Sequence, residues 1–316
     1  MLSIEEKRVY DDRTGVTEAY VASGIGVCWV RISEEIVGEF GLVTRCSARD
    51  VAVTAEAVAV ATDEDVLVFE DERVDSTTAG TAREDGTTAG TAREDGTTAG
   101  TAREDGTTAG TAREDGFTAT GFGPAVAVGY DDSSLLAVAP SGRVARFRDG
   151  VWTDLESPAD LAVRAIDRDL FATDDGIYRV HGGALVHAGL EAARDVSAPG
   201  VPLAATDDGL YKLGNGWMRE REGRFDAVAA DPRLEPGSLE RAYAASGTTV
   251  LAHGEDAWEP LEATPEPVVD VGYGETVYAV TGSGTFLAAG QDGWRSRALG
   301  LTDVTGLAVS APIDGV

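Results

Sequence analysis

Seven times along the chain a tight turn separates two short apolar runs, and no feature restricts the fold more. The clearest copy is Leu170 to Leu190, LFATDDGIYRVHGGALVHAGL. It holds an apolar run, an Asp-Asp-Gly turn, a second run, a Gly-Gly turn and a third run. Aligned on Gly176 of this turn, the equivalent positions are Gly26, Asp65, Gly142, Gly209, Thr249 and Gly284. The intervals are 39, 77, 34, 33, 40 and 35 residues, so only one departs from the period. That interval contains residues 77–116, four perfect copies of TTAGTAREDG; without those 40 residues it becomes 37. The decapeptides are therefore read as an insertion, placed between blades two and three. They carry no large apolar residue, so they cannot bury enough surface to offset chain entropy. We expect a mobile excursion with transient hairpins. They do not match calcium-binding nonapeptide repeats.

Within each unit apolar periodicity is two, and the Asp-Asp-Gly and Ser-Gly turns between β-rich runs are hairpin signals. A further strand opens on Trp152, Trp217, Trp258 or Trp294, which suits packing between neighbouring units. A separate run precedes each hairpin: 50–53, 160–163, 195–198, 226–231 and 270–273. Seven units of four antiparallel strands predict an all-β, seven-bladed β-propeller filling residues 1–316 as one domain. The first unit lacks an inner strand, and the C-terminal run 302–309 supplies one, so the two chain ends close the ring and remove the free sheet edges. Residues 3–12 compete for an edge of the same blade.

Asp303, Asp50, Asp160, Asp195, Asp226 and Asp270 each head an inner strand, one per blade, with Pro124 in blade three. In that register six carboxylates ring the channel mouth on the upper face, defined as the face of the turns between second and third strands. Converging carboxylates raise one another's pKa or bind cations, which makes these residues candidates for a ligand or cation site, with Ca²⁺ or another divalent ion as cofactor. Alternatively, Asp is simply a good residue before a strand.

Charge narrows the classes of partner. Asp and Glu total 55 against 26 Lys and Arg, a net charge of -29, and only Lys7 and Lys212 are lysines. Salt screens the self-repulsion of such a surface, so the composition suits a cytosol rich in KCl. It lacks the basic footprint that nucleic acid requires. No apolar run is long enough to span a membrane, and the charged N-terminus lacks a signal-peptide core, so a cytoplasmic monomer is expected. Cys28 and Cys46 form no metal or disulfide pattern. His181, His187 and His253 show no metal spacing, and there is no nucleophile elbow, P-loop or dinucleotide fingerprint.

FDAVAADPRLEPGSLERAYAASGTTVL resembles the inner strand, connection and second strand of propellers in the sialidase and Vps10-like group. The Asp-box of that group survives only as fragments such as QDGW at 291–294, and the sialidase arginine triad and Tyr/Glu pair have no counterparts. The WD40 Gly-His and Trp-Asp signatures are also missing. SIEEKRVYDDRTGVTEAYVASGIGV, CSARDVAV and TGFGPAVAVGYD resemble a β-propeller family of halophilic archaea across nearly all the chain outside 77–116. That resemblance implies a cytoplasmic archaeal protein and carries no particular activity over to this chain. Three functions follow as expectations: a non-catalytic scaffold or ligand-binding module meeting a protein or small molecule on the upper face, a hydrolase or lyase using channel-mouth carboxylates with a divalent cation, or a purely structural role.

Overall fold

The computed structural model describes residues 16–33, 35–70, 116–254 and 257–310. Every regular element among them is a strand. Blade one holds β1 (Val16–Ser23), β2 (Gly26–Ser33) and β3 (Ile36–Thr44); blade two β4 (Ala48–Val53), β5 (Ala57–Thr62), β6 (Val66–Glu70) and β7 (Thr118–Ala119). Blade three is β8 (Ala127–Asp131), β9 (Ser134–Val138), β10 (Val144–Arg148) and β11 (Val151–Leu155). Blade four is β12 (Val163–Asp167), β13 (Leu170–Thr173), β14 (Gly176–His181) and β15 (Ala184–Gly189). Blade five is β16 (Ala193–Ser197), β17 (Leu203–Thr206), β18 (Gly209–Leu213) and β19 (Trp217–Glu222). Blade six is β20 (Ala227–Ala230), β21 (Ala242–Ser246), β22 (Thr249–His253) and β23 (Trp258–Pro260). Blade seven is β24 (Val268–Tyr273), β25 (Val277–Thr281), β26 (Thr285–Gly290) and β27 (Gly293–Ala298). The last strand, β28 (Val304–Val309), pairs antiparallel with β1 as the inner strand of blade one, which closes the seven-bladed ring as expected.

The hairpin turns form where the sequence supplies a residue for them. At Gly176 φ is +115°, and a Cβ there would meet Leu190 O at 2.3 Å, so only glycine fits. In the same turn the Thr173 hydroxyl donates to Gly176 O at 2.8 Å. Thr62 and Thr206 make the matching bonds to Asp65 O and Gly209 O.

The core is divided among the seams between blades. Val21, Val280, Phe286 and Leu307 fill the seam of blades seven and one, and Phe171, Leu136 and Val163 that of blades three and four. Alanine and valine dominate near the axis, where converging sheets leave least room. The outer tryptophans tie seams together, as their positions predicted. Trp152 donates to Thr120 O, Trp217 to Ala188 O and Trp294 to Glu262 O, each in the connection or outer strand of the preceding blade.

One placement differs from the sequence reading. Thr118 and Ala119 pair with Val68 and Leu67, so β7 is the fourth strand of blade two and follows the decapeptides. Residues 77–116 thus fall between the third and fourth strands of blade two, not between blades two and three. A two-residue strand is too short to be recognised in sequence. The 3–4 connection leaves on the face opposite the Asp-Asp-Gly turns, here called the lower face. The expected mobility and hairpins of the decapeptides, and the edge pairing of residues 3–12, lie outside the described residues.

Candidate functional site

The inner strands set their free edges around the axis, and such an edge presents unpaired backbone amides. Three of the strands carry an aspartate just after a β-bulge: Ala48-Arg49-Asp50-Val51, Ala193-Arg194-Asp195-Val196 and Val268-Val269-Asp270-Val271. A bulge opposes two residues to one and re-aims a side chain. Here each carboxylate reaches amides of its own strand and of the next blade. Asp50 accepts from Val51 N at 2.8 Å and Val128 N at 2.9 Å. Asp195 accepts from Val196 N and Val228 N, both at 2.8 Å. Asp270 accepts from Val271 N at 2.7 Å and Leu307 N at 2.8 Å. The bonds clamp blade two to three, five to six, and seven to one.

Register with the second strands identifies the same position in the other blades as Ala127, Ala165, Ala227 and Gly306. Small residues therefore leave room for the carboxylates. A methyl built on Gly306 would stand 3.2 Å from Asp50 Oδ1 and 3.8 Å from Asp270 Oδ2, so those oxygens are no farther apart than the two distances together. One step further along blade four, Asp167 repeats the clamp and accepts from Ala198 N at 2.8 Å. Ser197 accepts from Ala230 N at 3.1 Å.

Enclosure raises the pKa of all four carboxyl groups. Asp50 is pushed up to about 7 by burial, against the pull of its two amide bonds and with the help of Asp195. Burial pushes Asp270 up to about 7, with Asp50 adding to it. Asp195 lies well above the usual carboxylate range through burial and the charges of Asp270 and Asp167. Asp167 is raised by burial and held back by its amide bond from Ala198 and by Arg168. None of the four is sealed off, since each touches the axial channel and is partly accessible there.

The six aspartates expected to form one ring thus divide. Asp50, Asp195 and Asp270 converge, although at the inner end of the channel rather than at an upper mouth. Asp160 and Asp303 are exposed turn residues with φ of 57° and 54°. Asp226 pairs with Arg224 at 2.7 Å and accepts from Gly247 N at 3.3 Å. Asp160, Asp226 and Asp303 precede the equivalents of Asp50 and serve the strand entrances. Asp167 was not singled out from the sequence; its place two residues after Ala165, at the end of an inner strand, becomes visible only once the bulges fix the register. Among the described residues no group of three or more His, Cys, Asp or Glu side chains is arranged to hold a metal ion, so the expected divalent-cation site finds no ligand set there.

The channel has a volume of about 580 Å³. Its lining runs from the aspartate tier to Thr54, Tyr130, Asp132, Arg168, Pro232 and Tyr273, all at the ends of first strands or just beyond them. It therefore opens on the lower face. The mouth is stiffened by blade six, whose long 231–241 connection is anchored by Asp231. That fully buried carboxylate binds Arg233 and Arg241, both at 2.9 Å, and the Arg233 guanidinium lies over the Tyr273 ring. Tyr273 stacks on Tyr243 with ring centroids 5.6 Å apart.

Comparison with solved structures bears on the fold alone. The WD40 β-propeller domain of Doa1 is 10% identical, with 90% of each chain covered and a TM-score of 0.53. The computationally designed protein Ika8 is 10% identical, with 93% of this chain and 90% of that one covered and a TM-score of 0.52. No curated protein matches the sequence. The model of the HVO_0234-like β-propellers matches residues 3–111 and 79–310. Seven blades, a C-terminal closing strand and this match agree: the chain belongs to the HVO_0234-like β-propeller family, named for a protein of a halophilic archaeon.

Proposed function

We propose that the protein is a non-catalytic ligand-binding module of a high-salt cytoplasm, and that a small molecule or a partner's side chain enters its central channel from the lower face. The observation that carries this reading is the channel itself. Its volume falls in the range of roughly 300–1,000 Å³ common to ligand sites, and its wall mixes aliphatic side chains with converging polar groups, Asp50, Asp195 and Asp270 at the inner end, Asp167 and Ser197 along it and Tyr130, Arg168 and Tyr273 towards the mouth. The amide bonds taken by Asp50, Asp195 and Asp270 favour a clamping role over acid–base catalysis. The net charge of -29 supports the high-salt setting.

The test is native mass spectrometry of the protein purified from its own high-salt lysate, beside Ala165→Leu. Ala165 occupies the aspartate register of blade four, so a larger side chain there fills the inner end of the channel. A bound small molecule on the wild type that is lost from a folded Ala165→Leu variant supports the proposal. Identical spectra from the two, with or without a bound mass, overturn it.

A further inference from the structure

Among the described residues five aspartates or asparagines precede a glycine, at 149, 175, 208, 215 and 292, and Asn215 is the single asparagine of the chain. In such a pair the glycine amide lies beside an electrophilic side-chain carbon, and no Cβ on the glycine screens the approach. The surroundings decide which pair can react. In the turns between second and third strands the pairs are locked. Gly176 is buried with Leu190 O pressed against it, and Gly209 N donates to Thr206 Oγ1 at 2.9 Å. Gly293 pairs with Gly290 at the start of β27 and lies under the Glu262 carboxylate.

Asn215 stands in the opposite setting. Leu213 pairs with Trp217, so residues 214–216 are the whole loop between β18 and β19, and all three are exposed. One backbone bond crosses the loop, from Gly214 N to Gly216 O at 2.9 Å. Gly216 has a φ of +138°, and a Cβ there would meet open space. Among the described residues nothing hydrogen-bonds to its N–H or to the Asn215 carboxamide. Asp149-Gly150 is equally open, but an ionised carboxylate is a far poorer electrophile than a carboxamide.

We infer that Asn215-Gly216 is a self-modifying site, where the hairpin of blade five converts its carboxamide into a carboxylate, partly as an isoaspartyl link. Hydroxide takes the Gly216 amide proton, and the nitrogen bonds to Asn215 Cγ. The Cγ–Nδ2 bond then breaks, and ammonia leaves with a proton from water. Water opens the resulting five-membered imide at either carbonyl. Cleavage at Cγ gives an aspartyl residue, and cleavage at the backbone carbonyl gives an isoaspartyl one. The sum is one water consumed and one ammonia released, so the chain needs no further reactant. The isoaspartyl form routes the main chain through the side chain and adds a methylene between Leu213 and Trp217. Trp217 donates its indole N–H to Ala188 O across the seam of blades four and five, so the modification lies where a change in loop length reaches an inter-blade tie.

Trypsin isolates the site in the peptide Leu213–Arg219, since Lys212 precedes it and Arg219 ends it. Native wild type, native Asn215→Ser and guanidinium-denatured wild type are kept in mildly alkaline molar KCl and mapped by mass spectrometry at intervals. We expect the native wild-type peptide to become heavier by about 1 Da, the exchange of NH for O. The gain should be faster at higher pH, and part of the product should accept a methyl group from an isoaspartyl methyltransferase. Asn215→Ser should show no gain in this peptide. A gain confined to the denatured chain, or no gain in either, overturns the inference. So does a native gain without a methyl-accepting product, because direct hydrolysis of the carboxamide would then bypass Gly216.

Discussion

Truncating Leu307 tests ring closure at its most exposed point of failure. Leu307 belongs to β28, and its side chain is only 7% exposed among Val21, Val280, Phe286 and Val304 at the seam of blades seven and one. Leu307→Ala removes the packing yet keeps the backbone amide that Asp270 accepts. A large-to-small change at such a site costs about 2–5 kcal/mol, the lost transfer energy plus the cavity left behind. The seam has rigid sheets on both sides, so little collapse can refill the space, and about 3 kcal/mol is expected. For a chain of this size that is a fall in Tm of roughly 5–10 °C. Thermal melts followed by circular dichroism in molar KCl provide the assay, with Ile25→Ala as reference, since Ile25 is 47% exposed in a turn and should change stability by less than about 0.5 kcal/mol. The melt should stay a single transition, because freeing β28 uncouples blades one and seven together. A Leu307→Ala shift no larger than that of Ile25→Ala would refute the packed closing strand, whatever else the fold preserved.

Three further outcomes follow from individual side chains. Burial pushes the Asp231 carboxyl up, but Arg233 and Arg241 outweigh it and hold the group below its usual range. Asp231→Asn should cost about 1–2 kcal/mol at neutral pH, the arginines being half exposed, and the deficit should shrink as pH falls through the ordinary carboxylate range; a deficit constant in pH argues against the ion pairs. Asp65 accepts from Val66 N, Gly121 N and Gly123 N and so ties the turn of blade two to the connection leading into blade three. Asp65→Ala should destabilise by about 1–3 kcal/mol in the same melts, and a neutral result would separate that connection from the ring's stability. Burial pushes the thiols of Cys28 and Cys46 up to about 12 and about 11. Iodoacetamide at about pH 8 should label neither quickly in the folded protein and both after denaturation; rapid labelling of the native state would contradict their enclosure.

The architecture was legible because its signals are local and repeated. A turn residue every 33 to 40 positions once residues 77–116 are set aside, period-two strands and the recurring tryptophans each report one blade, and the inner strand missing at the start is supplied by 302–309. The acidic register was only half legible. Asp160, Asp226 and Asp303 look like Asp50 in sequence because each precedes an apolar run. A bulge adds one residue to the inner strands of blades one, two, four, five and seven, but not of blades three and six. Counting from the strand start therefore cannot say which aspartate turns inward. The Ala-Arg-Asp-Val echo at 48–51 and 193–196 was the available clue, and Val269 in place of the arginine hides the third member.

Ring arithmetic then explains why three carboxylates appear rather than seven. Each one engages two neighbouring amides, so three serve six blades and an odd ring leaves one over. That blade is the fourth, where Ala165 takes the place of an aspartate and Asp167 clamps to blade five one step further on. The seams without a carboxylate clamp are tied by other means. Thr305 donates to Ala48 O between blades one and two, Glu156 and Ala184 form a parallel bridge between three and four, and Trp294 reaches Glu262 O between six and seven. A fourth aspartate at position 165 would find the Val196 amide already taken by Asp195 and would set a further like charge beside carboxyl groups that burial and one another's charges already push upward. The absence of a full acidic ring is thus what clamping requires, whereas a site built to coordinate cations would gain from every carboxylate added.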